Sequence, residues 1–371
     1  MDPNSEVSAG PVLNIPNLKE ETRNMVTVGG DCHKRTHTLV AVDENGRELG
    51  TMTVAAMAAG HLEARRWASQ WPERRWALEN CRHLSRGLER DLLLAGEAVV
   101  QVSPKLMAGA RRTSREWGKS DPIDALAVAR AALREGNLPV AQLEGDSREV
   151  KLLLDHREDL VGERTRVQNR LRWHLHELEP SFQVPGRSLD RKVVLNQVDQ
   201  MLARHSGVAA GIAVELAQRV RQLTVRINEL ERQISALTQR LAPSLLELDG
   251  CAALGAAKLV GETAGISRFK TSAQYAMHNG SAPIPVWSGN HERHRLNRGG
   301  NRQLNAALHR IAITQVRLGG RGHDYVQHRR NAGDTKREAI RALRRRISDE
   351  VFRRMWKDQS AATETSSQAA A

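Results

Sequence analysis

The chain has 371 residues, of which 27% are charged, and carries a formal net charge of +13 with a pI near 10.3. That length fits two or three domains, and the basic excess favours a polyanionic partner, nucleic acid being the usual one. An aromatic content of 3% argues against a base-stacking platform, which leaves recognition to backbone charge and shape.

Met25 to Gly30 and Thr38 to Val42 are rich in β-branched residues and read as strands, and Glu44-Asn45-Gly46-Arg47 is a turn into a third strand at Leu49 to Val54. A helix is expected through Ala55 to Gln70, then a short buried strand at Arg74 to Leu78 that delivers Glu79. A helix near Leu84 to Leu94 and a strand at Ala98 to Val102 follow. A last helix opens at Ser120-Asp121-Pro122-Ile123-Asp124, where proline suits the first turn and the i, i+3 spacing puts Asp121 and Asp124 on one face. The order βββαβαβα is that of an α/β RNase H-like domain, expected over residues 23–145.

In such a fold Asp31, Glu79, Asp121 and Asp124 converge. Clustered carboxylates repel unless a cation neutralises them, and hard oxygen ligands favour Mg²⁺ or Mn²⁺. Two such ions roughly 4 Å apart activate a nucleophile and stabilise the leaving oxygen of a phosphodiester. Taken singly, each acid has a plainer reading: Asp121 as a helix cap, Asp124 as a first-turn acid, Asp31 as a turn cap and Glu79 as a surface residue. Their order along the chain is what favours a metal site. Cys32, Cys81 and Cys251 contain no C-x-x-C pair, which argues against structural zinc. Cys32 beside His33 is a weak candidate for a thiol nucleophile.

Residues 146–243 read as a coiled-coil region. Leu216, Val220, Leu223, Ile227, Leu230, Ile234, Leu237 and Leu241 alternate steps of four and three. An earlier seam, Val150, Leu153, Leu160, Val167, Leu171 and Leu178, is interrupted by Arg157, Arg164 and His174, which suggests partial contact with nucleic acid. Pro180 to Gly186 separates the two, so they either fold back within the chain or pair between subunits, with dimerisation favoured. Residues 244–357 form a mainly helical C-terminal domain. It holds a glycine-punctuated, helix-hairpin-helix-like segment at Leu248 to Glu262, a loop at Ser281 to Asn290 and a basic helix from about Asn301. Ser288-Gly289 in that loop is, alone, a turn. Arg293, Arg295, Arg298, Arg302 and Lys119 are candidate phosphate contacts, and a second basic group runs from Arg329 to Arg354. Residues 1–22 and 358–371 are expected to be disordered tails. With no apolar run of the ~18 residues a membrane helix needs and no signal-peptide core at the start, a cytoplasmic protein, nucleoid-associated when on DNA, is expected.

Gly29-Gly30-Asp31-Cys32-His33-Lys34, Ala77-Leu78-Glu79-Asn80, Lys119-Ser120-Asp121-Pro122-Ile123-Asp124-Ala125 and the run from Arg268-Phe269 through Ser288-Gly289 to Arg298-Gly299-Gly300-Asn301 together resemble the DEDD transposases of bacterial insertion sequences. This is the IS one-ten group, also called bridge-RNA-guided recombinases. The resemblance spans roughly Met25 to Trp356. It implies a RuvC-like domain joined through a coiled coil to a C-terminal transposase domain, with Asp31, Glu79, Asp121 and Asp124 as the metal-binding tetrad. It also implies that the serine of the C-terminal loop attacks DNA to form a covalent phosphoserine; by position this is Ser288, with Ser281 the alternative in the same loop. The implied partners are element ends and target DNA, a structured guide RNA, and further copies of the chain as a dimer or a tetramer, with a composite site between protomers. Leu248 to Gly255 is longer than the family's compact glycine turn. A RuvC-like nuclease acting on branched DNA without the serine step, and a non-catalytic nucleic-acid-binding coiled-coil protein, are the alternatives.

Overall fold

The computed structural model describes residues 25–79, 83–102, 106–107, 120–135, 138, 140–141, 145–288, 291–295, 297 and 299–370. They fall into two units, Met1–Leu143 and Glu144–Ala371.

The first unit is built on β1 (Val26–Cys32), β2 (Thr36–Val42), β3 (Glu48–Ala55), β4 (Arg74–Glu79) and β5 (Val99–Val102). Their order in the sheet is β3-β2-β1-β4-β5; β1, β2 and β3 are antiparallel neighbours, whereas β4 and β5 run parallel to β1. The β1–β2–β3 meander and the parallel β4 and β5 give the RNase H-like topology read from the sequence. In the turn from β2 to β3, Asp43 Oδ1 accepts from Asn45 N and Arg47 N, and Gly46 adopts φ +77°.

Both faces of the central strands are buried, and the period of two divides them. Val28, Leu39, Trp76 and Leu78 face α1 (Ala58–Ala68) and α2 (Arg86–Leu94), packing on Ala64, Ala68, Leu88 and Leu92. The alternate residues, Val40, Val42, Ala77 and Val102, face the alanine-rich α3 (Asp121–Arg134).

The second unit opens with α4 (Asp146–Leu178), α5 (Lys192–Leu202) and α6 (Val208–Leu241). Helices α4 and α6 run antiparallel within one chain: Asp146 pairs with Arg240 at 2.6 Å, Arg157 with Glu231 at 2.7 Å and Glu163 with Arg219 at 2.7 Å. Val220, Leu223, Ile227, Leu230 and Ile234 are buried between α6 and the chain's own helices. Burying each such side chain contributes roughly 1.5–3 kcal/mol, against at most about 1 kcal/mol for an exposed ion pair. The apolar seam therefore holds the hairpin and the ion pairs set its register. This corrects the expectation that the seam pairs between subunits. It also corrects the nucleic-acid reading of Arg157 and Arg164, which reach across to Glu231 and to Thr224.

After a one-turn helix at Pro243–Leu246 come α7 (Ala253–Thr263), α8 (Ser272–Asn279), α9 (Arg302–Leu318), α10 (Arg321–Asn331) and α11 (Lys336–Ala370). Helix α7 is small-residued and buried from Ala256 to Thr263, which lets it lie against α4: a Cβ at Gly261 would stand 2.9 Å from that of Lys151. The glycine turn before it approaches α9, since a Cβ at Gly250 would meet Ile311 O at 3.1 Å.

Two expectations change here. Residues 281–290 were expected as a loop, but Ile284–Ser288 (β6) and His291–Arg295 (β7) form an antiparallel hairpin. Nor is the chain a tail from residue 358: α11 runs through it, and the buried Asp358 accepts from Ser244 N at 3.3 Å. The tail expected at residues 1–22 lies outside the described residues. Among the described residues no helix is long and apolar enough to cross a membrane.

Candidate active site

Asp31 is the penultimate residue of β1 and shares its odd-numbered face with Gly29. A Cβ at Gly29 would lie 2.3 Å from Ala125 O and 2.5 Å from Ala129 N, so glycine is what lets α3 sit directly on the strand. That approach brings the first turn of α3, with Asp121 and Asp124, over the end of β1. Glu79 ends the neighbouring strand β4 and is outside the group of ligand atoms formed by Asp31, His33 and Asp121. The parallel register pairs Gly30 with Leu78, and Glu79 follows one residue on, on the face that Ala77 presents to α3.

Ser120 is the helix cap position, without a side-chain capping bond, and Pro122 occupies the first turn. Asp121 is therefore a first-turn acid rather than the cap. Asp31 is 8% exposed and Asp124 6%. Burial chiefly holds the Asp31 carboxyl above the usual carboxylate range; His33 opposes this, while the charges of Asp124 and then Asp121 add to it. A cation would relieve both the repulsion and the desolvation, and the donors present are hard carboxylate oxygens, so a divalent metal ion fits.

One member of the cluster was not singled out from the sequence. His33 Nε2 lies 3.0 Å from Asp31 Oδ2 and 3.4 Å from Asp121 Oδ1, and ligand atoms of Asp31, His33 and Asp121 all fall within 4.8 Å of one another. The available signal was spacing, because residues two apart in extended chain share a face. Cys32 points the other way and is buried in the core under α1 and α2. Cys251 is likewise buried, and burial raises its thiol to about 12, so neither is a nucleophile.

In the second unit, Ser288 closes β6 opposite His291 in the last cross-strand pair of the hairpin. Ser281 lies before β6 and is buried; its backbone N–H donates to Asn279 Oδ1 and to Ala276 O. Asn279 Nδ2 in turn donates to Ser348 Oγ at 2.7 Å. The backbones of Gly280 and Gly300 cross so closely that a Cβ on Gly300 would stand 2.3 Å from Gly280 N. Asn301 caps α9 and donates to the buried Glu262 at 2.8 Å, and Lys151 of α4 also bonds Glu262. The segments on either side of the hairpin are thus tied to α7, α9 and α11 by polar contacts of Asn279 and Asn301.

Of the candidate phosphate contacts, Arg293 and Arg295 lie on β7, and Arg302 is exposed at the start of α9. Arg298 and Lys119 lie outside the described residues. In the later basic group, Arg329 pairs with Asp334, Arg345 with Asp349 and Arg354 with Glu350, so much of that charge is met within the chain.

Comparison with known proteins returns one family. A family profile described as transposase matches residues 28–180, and one described as transposase IS116/IS110/IS902 family matches residues 242–327. The chain is 26% identical to the 44.8 kDa protein of insertion element IS116 from Streptomyces clavuligerus, over 88% of this chain and 94% of that one. It is 24% identical to the 42 kDa protein of insertion element IS900 from Mycobacterium paratuberculosis, over 86% and 93%. Among solved structures, RuvC of Thermus thermophilus in complex with a Holliday junction substrate aligns with a TM-score of 0.26 and 17% identity, over 32% of this chain and 99% of that one.

Proposed function

This chain belongs to the IS116/IS110/IS902 family of transposases, and on that premise we propose that it cuts and exchanges DNA strands through Asp31, Glu79, Asp121 and Asp124 holding Mg²⁺ or Mn²⁺, with Ser288 as the attacking hydroxyl. It is a DNA-processing enzyme of RNase H-like fold with an acidic divalent-metal site, and the single observation that carries the reading is the meeting of Asp31 and Asp121 across β1 and α3. Asp124 acts electrostatically on the same carboxyl.

When bound, a divalent ion would lower the pKa of the attacking oxygen and neutralise charge on the phosphodiester. Asp31 of β1, Glu79 of β4 and Asp121 and Asp124 of α3 would hold it, with Gly29 letting α3 sit on β1. Ser288, at the end of β6, is proposed to form the phosphoserine link: its Oγ, a weak nucleophile until activated, bonds to the phosphorus as one sugar–oxygen ester bond of the phosphodiester breaks and that oxygen leaves as a strand-end hydroxyl. A structured RNA of the same element is proposed to select the DNA, with recognition by the protein resting on phosphate charge and shape. Assembly as a homodimer or tetramer belongs to the same reading.

A nuclease that uses the acids alone is the second reading, favoured by one fact: the acidic cluster forms wholly within the first unit. An SDS-resistant protein–DNA adduct assay with Mg²⁺, flanking non-coding RNA and candidate DNA separates the two. Loss of the adduct in both Ser288→Ala and Asp121→Ala supports the serine mechanism. Cleavage without an adduct, abolished only in Asp121→Ala, supports the nuclease.

A further inference from the structure

Beside the hairpin, the second unit has a half-open cavity of about 680 Å³ whose wall combines Ser281, Arg295, Tyr325, Arg344 and Arg346. Two of these are more than nine-tenths buried and incompletely paired. Ser281 is 9% exposed and its Oγ has no hydrogen-bond partner among the described residues; Arg344 is 8% exposed and its Nε has none. Leaving a buried polar group unpaired costs about 1–3 kcal/mol, so a wall that keeps two of them suits an incoming partner that accepts from both.

The charge of the wall says what that partner is. Of the arginines lining it, Arg329, Arg341 and Arg345 are met by Asp334, Glu338 and Asp349. Arg295, Arg344 and Arg346 have no carboxylate partner among the described residues. Arg344 is held in place by Asn305, whose Oδ1 accepts from Nη1 at 2.8 Å. Burial, and after it the charge of Arg341, push Arg344 below the usual guanidinium range, a penalty that a nearby anion removes. Arg346 is set over the Tyr325 ring at 4.7 Å, which orders its planar fork before any ligand arrives. A planar donor fork beside a hydroxyl matches the tetrahedral oxygens of a phosphate.

We propose that this cavity is a phosphate-binding site that grips one backbone phosphodiester of a bound nucleic-acid strand, with the Ser281 hydroxyl and the Arg344 guanidinium, both covered in the free chain, turning toward its oxygens to donate and Arg295 and Arg346 supplying charge. Ser281 is then a binding residue, distinct from the proposed nucleophile at the hairpin tip. The assignment rests on the transposase reading for the identity of the strand, and DNA and RNA both carry the required group.

The test measures binding of the full chain in EDTA, by fluorescence anisotropy, to short labelled single-stranded DNA, RNA of the same sequence and duplex DNA, with pyrophosphate as competitor. Ser281→Ala is nearly isosteric and Arg346 is exposed, so both variants test the site without cutting into the core. Each is expected to weaken one strand type by about tenfold, the loss of one hydrogen bond to a charged group. Arg346→Ala should also lower the slope of log affinity against log salt by about one. The strand that loses more identifies the source of the phosphate. Wild-type affinity for all three probes in both variants, with unchanged melting temperatures, overturns the site. That failure would leave metal-dependent cleavage standing, and absence of cleavage would leave these affinities readable.

Discussion

Gly29 of β1 lies so close beneath Ala125 of α3 that a methyl group on it would stand 2.3 Å from the Ala125 carbonyl oxygen. The carboxylates of α3 are held over Asp31 by that contact, so strand and helix cannot separate without dispersing the site. Gly29→Ala is expected to destabilise the protein by about 1–3 kcal/mol, the usual cost of overpacking, and to weaken Mn²⁺ binding measured by calorimetry. Gly211, inside α6 and facing open space, is the control. Gly211→Ala should stabilise by about 1 kcal/mol and leave Mn²⁺ affinity unchanged.

His33 brings a nitrogen to a cluster otherwise made of carboxylates. Imidazole suits transition metals better than Mg²⁺, so His33→Ala should reduce the preference for Mn²⁺ over Mg²⁺ in thermal-shift titrations, lowering Mn²⁺ affinity about tenfold and Mg²⁺ affinity less. Equal losses for the two ions would remove His33 from the ligand set.

Glu262, whose side chain is 5% exposed, joins Lys151 of α4 to Asn301, the cap of α9. Glu262→Ala leaves the Lys151 ammonium without its buried partner and loosens the cap. Removing one member of a buried pair costs about 3–5 kcal/mol; because the Lys151 side chain is 24% exposed, about 2–3 kcal/mol is expected, read by urea denaturation.

His37 is buried in β2, where desolvation, and after it the neighbouring His61, lower its pKa to about 4. The folded state therefore prefers the neutral ring. Above pH ~6.5 the ring is neutral in both states and its contribution is complete; as pH falls below that, the unfolded chain takes up the proton first and stability is lost until about pH 4. The full contribution is up to about 3 kcal/mol. Melting temperatures should drop through this window, and the drop should be shallower in His37→Gln. Identical slopes would contradict the buried-neutral assignment.

The RNase H-like order was legible because strand alternation, turn chemistry and the Ser120–Asp124 helix start are local signals. Asp31, Glu79, Asp121 and Asp124 could be placed at one end of the sheet from those signals and the order of elements. His33 was read with the motif but given no role, since a histidine beside a cysteine suggests thiol chemistry until the strand shows which face each occupies. The hairpin carrying Ser288 was read as a loop because Pro285 and the Ser288-Gly289 pair are turn-formers, and two short strands with little apolar alternation leave no clear period.

The amino-acid sequence by itself determined the fold class of the first unit and the two long amphipathic helices, because a period of two or three and a half is written in neighbouring residues. Only the tertiary structure decided that the helical seam closes on its own chain, that Gly29 brings α3 onto β1, and that Ser281 and Arg344 share one basic cavity. These depend on where distant segments meet. Each apolar stripe or arginine offers the same local chemistry to any partner, and only the folded chain chooses among them.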